Sequence, residues 1–278
     1  MGILLAGAAA LLYGVADFSG GLATRRSGVH AVLFFSQLTG LGLALAASPF
    51  FGEGAAAAPD LLWGMGAGAA GAFGLAFLYQ GLASGIIAVV SPVAAVVGAA
   101  VPVLAGLLLG ESPEATGWAG IAVSLLAIML LGWRRVGGSE RARLRVSLLH
   151  GLLAGLGFGA FFVLISRPGG HAGLWPLVGA RWMSIAIVGT LSLAGGGSLR
   201  VFRGSVGLIA ATGLLDMGAN IAFLLASRVH LLSVVSVISS LYPAPTVILG
   251  RVVLGERLTP ARIVGLAAAM SGVALMSV

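Results

Sequence analysis

Apolar runs of roughly twenty residues recur along the whole of this 278-residue chain, and nothing else constrains its fold so strongly. Coiled as α-helix, one such run crosses a bilayer core of about 30 Å. Ten of them can be read, at about 3–23, 31–51, 61–82, 86–109, 116–133, 148–166, 174–194, 205–226, 231–254 and 261–278. Only 8% of the residues are charged, against about 25% in a soluble globular protein. Little is left over for a soluble domain, so the expectation is one all-α, multi-pass integral membrane domain. The runs are continuous rather than alternating, which favours helices over a membrane β-barrel. The first run lacks a basic leader and is longer than the apolar core of a secretory signal, so it is read as a span.

Against this background the polar residues inside spans stand out. An aspartate at the centre of a membrane helix costs about 2.5–3.5 kcal/mol on insertion scales, so it must face protein or water. Asp17 sits well inside span 1. Asp216 and Asn220 in span 8 are one helical turn apart and share a face, which packing alone does not explain. Arg181 in span 7 can either snorkel to the interface or serve as counter-charge to a membrane carboxylate. Further polar candidates are Gln37 in span 2, Tyr79 and Gln80 at the end of span 3, and Ser239 and Tyr242 in span 9. A membrane carboxylate of this kind can carry a proton or pair with a substrate amine. Span 9 also holds Pro243 and Pro245, which free the carbonyls of Ser239 and Leu241 and predict a broken helix. Pro92 and Pro102 predict a kink in span 4.

The chain repeats itself. Leu109-Gly110-Glu111 returns as Leu254-Gly255-Glu256, displaced by 256 − 111 = 145 positions, about half the length. The same shift lays Gly14 on Gly159, Ser91 on Ser236 and Gly120 on Gly265. In each copy a helix start follows, with Ser112 and Thr259 as expected N-caps and Pro113 and Pro260 at the first helical position. Five spans per half is an odd number, so the second half enters the membrane from the opposite side. The expected architecture is ten transmembrane helices in two inverted five-helix repeats, residues 1–133 and 148–278, joined by an arginine-rich linker at 134–147. Inverted repeats are the architecture of many secondary transporters, with the substrate held between the halves. The repeat fails at Asp17, Arg181 and Asp216, which makes those residues the expected adaptation to a substrate.

These motifs resemble the EamA family of the drug/metabolite transporter superfamily. The residues carrying the resemblance are Tyr13-Gly14 with Asp17-Phe18, then Leu109-Gly110-Glu111 followed by Gly117 and Gly120. In the second half they are Ser240-Leu241-Tyr242-Pro243, Leu254-Gly255-Glu256-Arg257-Leu258 and Gly265. The resemblance implies ten helices around a central cavity and export of small metabolites such as amino acids or their analogues, with a broad-specificity amine exporter as the alternative. It also implies a bacterial plasma membrane. Where the family tends to carry tryptophan this chain has Tyr13, and where it tends to carry an arginine early in span 2 this chain has Gln37.

Other classes fit poorly. The formal charge of +7 rests on arginines in short loops, since there is no lysine, and reads as topology and lipid contact rather than a nucleic-acid patch. The chain has no cysteine, no HExxH and no paired histidines, so neither a metal site, a cofactor nor an intramembrane enzyme is expected. The expected partners are a small-molecule substrate and the lipid bilayer, and both a monomer and a homodimer are compatible with the sequence. Arg25, Arg26, the Arg134–Arg145 group, Arg200, Arg203 and Arg257 fall on one side of the ten-span layout, and only Arg167 and Arg228 fall in loops on the other. The positive-inside rule then places the linker in the cytoplasm and both termini outside, opposite to the family expectation of cytoplasmic termini.

Overall fold

In hydrocarbon every backbone donor and acceptor must be paired within the protein, and long apolar runs achieve this as helices. The computed structural model describes residues 1–51, 57–84, 87–133, 141–195, 197–255 and 257–278. Among them are eleven α-helices: α1 (Gly2–Ser27), α2 (Val29–Ala47), α3 (Ala58–Ser84), α4 (Ile87–Leu108), α5 (Ala115–Leu131) and α6 (Arg141–Ile165), then α7 (Trp175–Ala194), α8 (Val206–Ser227), α9 (Leu232–Ser239), α10 (Pro243–Leu254) and α11 (Pro260–Met276). No described residue is in a strand. Eight segments are long and apolar enough to cross a membrane, one of them being α9 and α10 together, and α5 and α11 are shorter apolar helices.

Three local expectations are revised. The segment read as linker is already helical from Arg141, because arginine is a good helix former and extends α6 beyond its apolar run. Residues 134–140 lie outside the described ones. Helix α5 starts at Ala115 with Glu114 as N-cap, not at Pro113 behind Ser112. The turn therefore stays open two residues longer than expected. Helix α4 runs without interruption through Pro92 and Pro102, whereas span 9 does break, between Ser239 and Pro243. The Leu241 carbonyl, expected to be free, accepts from the Ala244 N–H at 2.9 Å as the chain turns into α10.

Small residues set the helix spacing, as packing in lipid requires. A Cβ at Gly68 of α3 would collide with the Ala180 carbonyl of α7, and one at Gly213 of α8 would collide with the Ser36 carbonyl of α2. Gly14 of α1 packs against Tyr242 and Pro245 at the span 9 break, and Gly159 of α6 packs against Val101 of α4. Gly120 of α5 meets Met276 of α11, while Gly265 of α11 meets Leu131 of α5. More broadly, α3 packs on α6 and α7, and α8 packs on α1 and α2.

The two ends of the bundle differ. At one end meet the starts of α1, α3, α7 and α9 and the α4–α5 turn, with His230 against Gly2 and Glu111 against Leu232. This terminal end holds the largest apolar cluster, including Ala6, Ala9, Val103, Leu174, Leu177 and Leu232. At the opposite, arginine end the buried apolar residues form only small clusters, such as Ala23, Val32 and Ile209. Packing is therefore concentrated toward the terminal end.

Candidate functional site

Three spans bring their polar residues to one point near mid-bundle. Arg181 of α7 donates through Nη1 to Gln37 Oε1 of α2 and through Nη2 to Asp216 Oδ2 of α8. Asn220, one turn along α8, donates through Nδ2 to the Asp216 backbone carbonyl at 2.7 Å and to Asp216 Oδ2 at 3.3 Å. Arg181 therefore pairs with the carboxylate rather than snorkelling to the interface. Its guanidinium finds room because Gly40 of α2 has no side chain: a Cβ there would stand 3.4 Å from Nε. Arg181 is only 8% exposed and Asn220 4%, yet the Asp216 side chain keeps 34% of its surface accessible. The network is locked on the protein side and open on the carboxylate side.

Asp17 of α1 is exposed although it sits mid-helix, and it lies within electrostatic reach of Asp216 and Tyr242. Among the described residues it makes no hydrogen bond or ion pair. Tyr13, one turn earlier on α1, is within reach of Asp17, Arg181, Asp216 and Tyr242 together. Its ring meets Tyr242 edge-on at 6.5 Å and Phe162 at 6.3 Å, and Phe162 stacks on Phe223 at 4.4 Å. The four rings form one aromatic group next to the start of the span 9 break.

The broken span supplies the next layer. Thr246 Oγ1 donates to the Gly14 carbonyl at 3.1 Å or to that of Tyr242 at 3.0 Å, fastening the start of α10 to α1. Ser239 is fully buried in the last turn of α9, where its Oγ, like those of Ser233 and Ser236, has no partner among the described atoms. Gln80 stands exposed near the end of α3, where that helix packs against α6 through Gly81 and His150 rather than against α7. The Tyr79 side chain lies outside the described ones. Of the residues expected from sequence, Gln37, Arg181, Asp216 and Asn220 meet directly and Asp17 and Tyr242 border them. Ser239, in the last turn of α9, and Gln80, near the end of α3, make none of these contacts.

Two roles were not foreseen. Tyr13 joins the site because it is one turn from Asp17 on the same face, a spacing visible in the sequence. Glu111 does not cap its own helix. The α4–α5 turn closes with Gly110 at φ 88°, its N–H bonded to Leu107 and that of Glu111 to Gly106, which aims the carboxylate away from α5. Oε1 then accepts from the Leu232 N–H at 2.6 Å and Oε2 from that of Ser233 at 3.0 Å, capping α9. Nearby, Arg228 Nη2 donates to the Gly173 carbonyl at 2.5 Å and His171 Nε2 lies 3.8 Å from Asp60. Burial pulls Arg228 below an ordinary arginine, and the charge of Asp60 pushes it back up. The Glu111 cap and the His171–Asp60 pair link the two halves at the terminal end.

A helical, multi-pass bundle with a charged network between its spans is that of a membrane protein. Residues 145–278 match the model of the EamA-like transporter family, part of the drug/metabolite transporter superfamily. The match suggests a membrane transporter. No curated protein matches the chain. Among solved structures, a crystal structure described only as that of a protein shares the fold, with a TM-score of 0.81 at 16% identity over 100% of this chain and 98% of that one.

Proposed function

We propose that the chain is a secondary transporter that moves a small metabolite, an amino acid or an analogue, out of the cell by alternating access. The observation that carries the reading is the network at Arg181, Gln37, Asp216 and Asn220, bordered by Asp17. It joins residues from both halves of the chain at mid-bundle, beneath a terminal end packed shut. Charged groups at membrane depth mark substrate and ion paths, and a site between halves can be opened to either side in turn. On this reading the structure is the state closed at the terminal end. Asp17, Gln37, Arg181, Asp216, Asn220 and Tyr242 form the polar lining, with Tyr13 as an added wall. Tyr79, Gln80 and Ser239 are retained as outer candidates.

The accompanying architecture is ten spans in two inverted repeats, residues 1–133 and 148–278, in a bacterial plasma membrane. Several contacts support it. Exchanging the halves by 145 positions carries the Gly120–Met276 contact onto Gly265–Leu131, since 120 + 145 = 265 and 276 − 145 = 131. It likewise carries Gly68, which sets the α3–α7 spacing, onto Gly213, which sets that of α8 and α2. Helices α5 and α11 have 17 residues each, at the short end of the membrane-spanning range of about 17–25.

The test is counterflow in reconstituted vesicles preloaded with unlabelled phenylalanine or phenethylamine and given the labelled compound outside. Exchange by the parent chain and its loss in Asp17→Asn and Asp216→Asn are expected. Equal exchange by both variants and the parent would remove these residues from the site, and no exchange by the parent of either compound would count against this substrate class.

A further inference from the structure

The break in span 9 falls near the middle of the Leu232–Leu254 segment, and it leaves backbone carbonyls with nothing to accept. In an unbroken helix the Ser239 carbonyl would take the N–H of residue 243, but Pro243 has none. Around it the Ser240 N–H goes to the Ser236 carbonyl at 3.0 Å, that of Leu241 to Ile238 at 3.1 Å and that of Ala244 to Leu241 at 2.9 Å. The carbonyls of Val237, Ser239 and Ser240 therefore accept no hydrogen bond among the described residues. All three residues are buried, with 0%, 0% and 1% of their surface exposed. On the far side of the break the Tyr242 carbonyl is served by Thr246 Oγ1 at 3.0 Å, so the unpaired acceptors are confined to the end of α9. Buried backbone acceptors are almost always paired, and a buried helix end without partners calls for a ligand or water.

The side chains of α9 repeat the pattern. Ser236 and Ser239, one turn apart on one face, are wholly buried and their hydroxyls have no partner among the described atoms. Buried serines elsewhere in the chain behave differently: Ser19 and Ser36 each donate to the carbonyl three residues back at 3.0 Å. Three carbonyls and two hydroxyls thus fall within the last turn and a half of α9, at the end where a helix carries partial negative charge. A donor set of neutral oxygens suits a small, hard, monovalent cation, whereas a divalent ion would call for carboxylates. Broken membrane helices present the carbonyls of their C-terminal ends to sodium in this way.

We propose that the C-terminal end of α9 is a sodium-ion site, built from the Val237, Ser239 and Ser240 carbonyls and the Ser236 and Ser239 hydroxyls. Binding of the ion is independent of the transporter reading above; its role as the coupling ion rests on that reading. The coupling follows from the packing, since α9 lies against α1 and α4 and Thr246 fastens the other side of the break to Gly14 of α1.

The melting temperature of the purified full chain is followed as sodium chloride replaces choline chloride at constant ionic strength, with potassium chloride as the size control. A saturable rise with sodium, and a smaller one with potassium, is expected, because an ion that binds only the folded chain stabilises it. Ser239→Ala should raise the half-saturating sodium concentration about 10-fold, the effect of losing one charge-assisted contact, while Ser239→Thr keeps the hydroxyl and should stay near the parent. Ser124→Ala removes a buried, unpartnered hydroxyl from α5 instead and should leave the sodium response unchanged. Melting temperatures in choline alone show whether each variant folds, and the ion ranking on the parent chain needs no variant. No rise with sodium in the parent, an equal rise with potassium, or a full sodium response in a folded Ser239→Ala overturns the proposal. Transport is read apart from this: sodium-dependent stabilisation with counterflow indifferent to sodium would leave the site standing and remove its coupling role, and absence of counterflow would bear on the transporter reading alone.

Discussion

Arg181 is the residue on which the site's geometry depends, because its guanidinium bonds Gln37 of α2 and Asp216 of α8 at once. Replacing it with alanine leaves Asp216 without its counter-charge, and removing one partner of a buried pair costs about 3–5 kcal/mol. Asp216 is partly accessible, so the lower part of that range is expected, as a fall in detergent-solubilised melting temperature with loss of transport. Arg181→Lys keeps the charge but loses the two-pronged donor, so it should fold better than the alanine variant and still transport poorly. A lysine variant with parental counterflow would mean that the charge alone matters. Much at this scale was legible in sequence: the one-turn spacing of Asp216 and Asn220 and the need of a membrane aspartate for a counter-charge both identified their group. The Gln37 contact was not, because nothing local says which of the neighbouring helices a polar side chain will meet. Glu111 was even less legible, since its partners lie 121 and 122 positions away.

At the scale of helices, two kinds of joint can be tested. The cap at α9 is the first. Glu111→Ala leaves the Leu232 and Ser233 N–H groups without their acceptor, and loss of a charged N-cap costs about 1–2 kcal/mol. Faster hydrogen exchange at those two amides, with a smaller effect in Glu111→Gln, is the expected signature. Unchanged exchange at both amides would remove the cap from the account. Glycine contacts are the second joint. Gly68→Ala and Gly213→Ala force a methyl into a neighbouring backbone and should destabilise by about 1–3 kcal/mol. Gly7→Ala, with nothing within 4 Å of the new methyl, should be neutral or stabilise by about 0.5–1 kcal/mol. Melting temperatures of the three variants in one detergent check the contrast. The prolines of span 9 announced its break in the sequence.

For the whole molecule, the distribution of arginines predicts which end meets the cytoplasm. Arg25 and Arg26 end α1, while Arg200, Arg203 and Arg257 sit in loops at the same end of the bundle. A reporter fused after Val278 should therefore report an external terminus, and a cytoplasmic signal would overturn the arginine argument. The chain has no cysteine, so one introduced thiol is the only reactive thiol present. The most direct test of alternating access places that thiol at the centre, as Asp17→Cys, and probes membrane vesicles of both orientations with a charged, membrane-impermeant methanethiosulfonate. A site opened to each side in turn predicts modification from both faces of the membrane. Modification from one face only, however long the exposure, would contradict it.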